Sequence, residues 1–157
     1  MCIVVDVNTL PYVFNPRSDR HAEFAPISEW INKGDGVLVY GGTTYAKELK
    51  KAGRYLRVVL ELKKARRAVA IADDVVDARE AVVKNLTVGT GCDDQHIIAL
   101  IGVSKCRIIS SVDARSYPYI QDRQLYPRGA SRPKIYSSGR NVDLLVRTDP
   151  ACLRNVV

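Results

Sequence analysis

Four short runs of apolar, largely β-branched residues recur along this chain at roughly thirty- to forty-residue intervals: Cys2–Val5, Val37–Tyr40, Ala68–Ala72 and Arg107–Ser110. Each run is continuous rather than alternating, which is the pattern of a strand buried on both faces. Such strands need a helical layer on either side, and the stretches between the runs carry helical periodicity. One helix is predicted over about 19–32, with Phe24, Ile27, Trp30 and Ile31 on one face and Pro26 favouring a later start. After Gly41-Gly42, Thr43 or Thr44 caps a helix to about Ala52, and beyond Gly53 a second follows, with Tyr55, Leu56, Val59, Leu60 and Leu62 towards the core. Asp73 caps a third to about Leu86 (Val75, Val76, Ala78, Val82 and Val83 inward), and Asp93 opens a fourth to Val103. The expected fold is α/β, a mainly parallel central sheet in a three-layer α/β/α sandwich. A last strand at Lys134–Tyr136 and a short helix around Asn141 to Arg147 complete the reading.

A chain of 157 residues suits a single domain, here 1–157 with a basic extension over about 115–157. No run approaches eighteen apolar residues and no leader pattern opens the chain, so a cytoplasmic protein with no membrane contact is expected. Cys2, Cys92, Cys106 and Cys152 contain no C-x-x-C pair, and His21 and His96 cannot complete a usual zinc set at these spacings. Four reduced thiols follow.

Charge is uneven. The net charge is +7; residues 1–114 hold 16 basic and 14 acidic groups, whereas 115–157 hold eight against three. A second basic stretch runs from Lys47 to Arg67. Basic surface favours a polyanion, most simply nucleic acid.

Two of the apolar runs lead into an aspartate, Asp6 and Asp113. In an open parallel sheet, ligands bind beyond the carboxyl ends of the strands. Two carboxylates at that edge repel unless a cation lies between them. Asp94 is a third candidate, because Ile97, Ile98 and Ile101 follow at offsets of three, four and seven and place it on the packed helix face. Glu48, on the helix after the second strand, is a fourth. Each has a duller reading: Asp6 and Asp113 as turn or cap residues, Asp93 or Asp94 as a helix cap, Glu48 as a partner of Lys51. Oxygen ligands without His or Cys suit Mg²⁺ or Mn²⁺, and beside basic surface they match metal-dependent phosphodiester hydrolysis. No G-x-S-x-G elbow, P-loop or G-x-G-x-x-G fingerprint offers another chemistry.

These segments resemble the PIN-domain family. Ile3-Val4-Val5-Asp6-Val7-Asn8 is similar to its opening strand and first acid, and Glu48 stands where the family places its second. Asp94-Gln-His-Ile-Ile-Ala-Leu100 resembles the third acidic motif, and Ile108-Ile109-Ser110-Ser111-Val112-Asp113 the fourth. The resemblance implies a Mg²⁺- or Mn²⁺-dependent endoribonuclease, with Asp6, Glu48, Asp94 and Asp113 holding the metal and Asn8 and Ser111 as supporting polar groups. It also implies a toxin of a toxin–antitoxin pair, hence an antitoxin partner. Val112 departs from a position that is often small and polar, and Asp93 duplicates the third acid, which leaves the register of that motif open by one residue.

Arg123, Arg128 and Arg132 are the expected contacts to RNA phosphates, interleaved with Tyr117, Tyr119, Tyr126 and Tyr136 for base stacking. The alternative is a non-catalytic RNA-binding or protein-interaction module on the same fold. Homodimerisation is open under both.

Overall fold

The structure, a computed structural model, describes residues 1–146. Arg147, Asp149, Cys152 and Arg154 lie outside them. Five strands, β1 (Cys2–Val5), β2 (Val37–Gly41), β3 (Ala68–Ile71), β4 (Ile108–Ser110) and β5 (Lys134–Tyr136), form one sheet in the order β3-β2-β1-β4-β5, every pair parallel. The predicted strands are all present. β1 and β4 are buried throughout because helices cover both faces.

The helices are α1 (Leu10–Phe14), α2 (His21–Lys33), α3 (Thr43–Lys51), α4 (Arg54–Lys64), α5 (Asp73–Leu86), α6 (Gln95–Ser104) and α7 (Tyr117–Ile120). The sheet grows from β1 to β2 to β3 on one side, then returns to β4 and β5 on the other. By the right-handed rule for parallel crossovers, that order assigns α1 and α2 to one face and α5 and α6 to the other, and within each pair the helices pack together. The three-layer α/β/α arrangement follows.

Several local expectations need correction. α2 starts at His21 despite Pro26, because the His21 ring (Nδ1) donates to the Tyr12 carbonyl at 2.8 Å and ties down that first turn. Neither Thr43 nor Thr44 caps α3; Gly42 stands at that position, and the free amides of Gly42 and Thr43 donate to Asp73 and Asp77 at 3.0 and 2.8 Å. Asp73 is accordingly spent on α3 rather than on capping its own helix. Leu60 is exposed because the inward stripe of α4 is Tyr55, Val59 and Leu62, and Val75, Ala78 and Val82 are exposed because that of α5 is Val76, Glu80 and Val83. α6 begins two residues later than expected, with Asp94 and not Asp93 at its cap position. The short terminal helix is a 3-10 segment over Gly139–Leu144.

The basic segment after Asp113 is no appendage up to Leu144. It supplies the β4–β5 crossover, β5 itself and two core rings. Tyr126 and Tyr136 are buried, their hydroxyls donating to the Ile120 and Glu23 carbonyls at 2.7 Å each, so neither is free to stack on a base. Cys2, Cys92 and Cys106 are all buried, and Cys92 and Cys106 are free thiols. No helix among the described residues is long and apolar enough to cross a membrane.

Candidate functional site

In this strand order the direction of winding reverses between β1 and β4. Doubly wound sheets bind ligands at the carboxyl ends of the strands where such a reversal falls. Val5 pairs with Ser110 at the last register position, so Asp6 and Ser111 leave the sheet side by side. Asp6 is 7% exposed. Its Oδ1 accepts from the Asn8 amide at 3.2 Å and its Oδ2 from the Ser111 hydroxyl at 3.3 Å. Burial pushes its carboxyl up to about 6, and the charges of Asp94 and Glu48 push the same way against those two bonds. Asp6 thus serves as the turn former that it resembles in sequence and as a strained carboxylate at the switch point.

Tyr45 packs beneath this point. Its buried hydroxyl donates to the Val5 carbonyl at 2.7 Å; burial, with Asp6 and Glu48 nearby, holds its pKa well above the usual phenol value. One turn on, α3 presents Glu48, which meets His96 rather than Lys51: His96 Nε2 lies 3.1 Å from Glu48 Oε2. The His96 side chain is 5% exposed. Burial acts to lower its pKa, but the Glu48 bond and the charges of Glu48, Asp94 and Glu80 outweigh it and lift the imidazole above its ordinary value.

Asp94 makes no capping bond with its side chain and instead accepts from the Ser116 hydroxyl. Burial raises its pKa, the Ser116 bond opposes, and Asp93 adds to the rise. Asp113 stands at the mouth. Arg115 grips it twice, Nε to Oδ1 at 3.1 Å and Nη2 to Oδ2 at 3.0 Å, and holds its pKa below the usual carboxylate range.

Asp94 and Glu48 therefore both act electrostatically on Asp6, and Asp113 acts on Asp94. Among the described residues, however, no three His, Cys, Asp or Glu side chains stand close enough to share one metal ion. Three of the carboxylates are each turned towards a neighbour: Glu48 to His96, Asp94 to Ser116 and Asp113 to Arg115. Carboxylate oxygens are the donor type that hard divalent cations prefer, but as these side chains stand they do not converge on one ion. His96 and Ser116 are the partners that the sequence reading missed. The signal for His96 was present: a histidine on the packed face of an apolar helix requires a polar partner.

The three arginines expected to hold substrate lie elsewhere. Arg123 and Arg128 line a cavity of about 450 Å³ together with Tyr126, Pro127 and Ser131. Pro127 packs beside Gly102, eight residues and roughly 12 Å along α6 from Asp94. Arg132 Nη1 donates to the Gln121 carbonyl at 3.4 Å. Compared with family models, curated proteins and solved structures, the chain matches none.

Proposed function

We propose that this protein is a Mg²⁺- or Mn²⁺-dependent endoribonuclease of PIN-like type acting on single-stranded RNA in the cytoplasm, with an antitoxin as its expected protein partner. The observation that supports this most is Asp6, a buried carboxylate at the switch point whose pKa is driven to about 6 in the company of Asp94 and Glu48. Folding ordinarily avoids such repulsion, and a site that binds a cation has reason to keep it.

Asp6, Glu48, Asp94 and Asp113 would hold the ion, which would supply water activation and charge neutralisation at the phosphate oxygens. This chain's own groups position those carboxylates. Asn8 and Ser111 hold Asp6, His96 orients Glu48, and Ser116 orients Asp94, each through a hydrogen bond outside the set of four acids. Arg123, Arg128 and Arg132 take RNA phosphates, the first two at the cavity that Pro127 brings beside α6.

The partner bonds at Glu48 and Asp113 favour a second reading, a module that binds RNA without metal. One assay separates the two. A labelled single-stranded RNA is incubated with protein stripped in EDTA, then with Mg²⁺ or Mn²⁺ restored. Cleavage that returns with the ion supports the nuclease; binding without cleavage in either ion refutes it.

A further inference from the structure

The sheet ends in β3, and within this strand there is no proline or charge of the kind that usually guards an edge. The opposite edge is guarded: β5 follows Pro133, carries the exposed Lys134 and is packed against the 3-10 segment over Gly139–Leu144. The ladder from β3 to β2 fixes which backbone groups are spare. The Leu38 amide donates to the Arg67 carbonyl at 3.0 Å, so Arg67, Val69 and Ile71 turn their N–H and C=O groups towards β2, while Ala68, Ala70 and Ala72 turn theirs outward. The Ala72 carbonyl is taken by the amides of Val75 and Val76 at 3.2 Å. Among the described residues no strand pairs with the rest of that outward row, and Ala70 and Ala72 are exposed.

The sequence around this edge says what fits it. Arg66-Arg67 precede the apolar run, Asp73-Asp74 follow it, and Ala70 is the midpoint. Turned antiparallel about Ala70, a second copy of the strand sets Arg66 against Asp74, Arg67 against Asp73 and Val69 against Ile71. The same rotation sets outward-facing residues opposite one another, as an antiparallel ladder requires. The Ala70 amide of each copy then reaches the Ala70 carbonyl of the other, and the Ala72 amide reaches the Ala68 carbonyl. A parallel copy faces arginine with arginine, and a slip of one residue opposes outward groups to inward ones. Among the described residues none of these four charged side chains has a salt-bridge partner.

We propose that β3 is the interface of a homodimer, in which two copies join antiparallel about Ala70 into one continuous sheet and the arginines of each face the aspartates of the other. The contact is isologous, so each charge pair occurs twice. β2 separates it from β1 and the Asp6 edge, so both acidic edges stay open and the dimer does not rest on the nuclease reading.

The test is sedimentation equilibrium of the full chain, with far-UV circular dichroism on every variant. An edge of four residues makes a small interface, so dissociation in the micromolar range is expected, and loading from about 1 to about 500 µM covers it. Wild type should pass from one chain mass to two across that range. Ala70→Pro removes an amide that the β2 ladder does not use, so the variant should fold and stay monomeric. Asp73 also holds the Gly42 amide, which leaves the exposed Arg66 and Asp74 as the charge pair to exchange. Arg66→Glu should raise the dissociation constant roughly ten-fold or more, because both symmetric pairs become repulsive. Adding Asp74→Lys to Arg66→Glu restores opposite signs and should bring the constant back to within about three-fold of wild type. A wild type that stays monomeric throughout overturns the proposal, as does a dimer that folded Ala70→Pro leaves intact. A dimer that Arg66→Glu does not weaken, or that the double substitution does not recover, overturns it too, and this pair decides alone if Ala70→Pro fails to fold.

Discussion

Replacing Asp6 by Asn should stabilise the metal-free protein while destroying its activity, and the size of the gain should depend on pH. The carboxyl rises from an ordinary 3.8 to about 6 in the folded chain, mainly through burial. Each unit is worth about 1.4 kcal/mol, so the ionised form burdens the fold by about 3 kcal/mol at neutral pH. The sign follows from proton counts. Below about 3.8 the group is protonated in both states and exacts nothing; between 3.8 and about 6 the folded state holds the proton more tightly, so stability falls as pH rises; above that the penalty is complete. An amide keeps the acceptor for the Asn8 N–H but loses the better acceptor for Ser111, a loss of about 1 kcal/mol. Urea denaturation in EDTA should therefore find Asp6→Asn more stable by about 2 kcal/mol at pH 7.5, with the advantage gone near pH 4. With Mg²⁺ at a hundredfold excess over its Kd, wild type should gain about 2.7 kcal/mol and the variant little, and cleavage by the variant should drop by roughly 10³. A difference that stays constant from pH 4 to 7.5, or a variant less stable at pH 7.5, refutes the claim that Asp6 is held under electrostatic strain.

At the neighbouring aspartates, Asp94→Asn should cost far more cleavage than Asp93→Asn, because only Asp94 is engaged by Ser116; the opposite ranking moves the site by one residue. His96→Ala should lower stability by about 1–3 kcal/mol and weaken Mn²⁺ binding by releasing Glu48, whereas His96→Gln, which retains an N–H donor, should recover part of both; calorimetry on the two variants decides it. Changing Arg123, Arg128 and Arg132 together to Gln should reduce the slope of log affinity against log salt by about two units, at about 0.7 per phosphate contact. An unchanged slope moves the RNA grip to the basic helices spanning Lys47 to Arg67.

The strands were the most legible part of the sequence, because a run such as Ile3-Val4-Val5 buried on both faces has no other stable use. Helix phase was harder to read. In α5 the buried stripe passes through Glu80, which is tolerated inside because Thr44 and Lys84 satisfy it, so counting apolar residues alone drew Val75 and Val82 inward. Helix starts failed for a related reason: the first amides of α3 are satisfied by Asp73 and Asp77 on another helix, a contact that no local window contains. At the site, the positions of Asp6 and Asp113 follow from where their strands end. The pairs Glu48–His96 and Asp94–Ser116 do not, since they join residues 48 and 22 positions apart.

The bond from Ser111 to Asp6 spans 105 residues. Because β1 is made first but pairs with β4, the N-terminal strand must wait on one side while the ribosome works through most of the chain. β1, β2 and β3 can associate earlier, each with its neighbour in sequence; β4 closes the longest loop in the sheet and so bears the largest entropic cost of assembly. Whatever chemistry this edge performs is thus confined to chains synthesised past Ser116, and a nascent or prematurely ended product carries Asp6, Glu48 and even Asp94 without the sheet neighbour that assembles them.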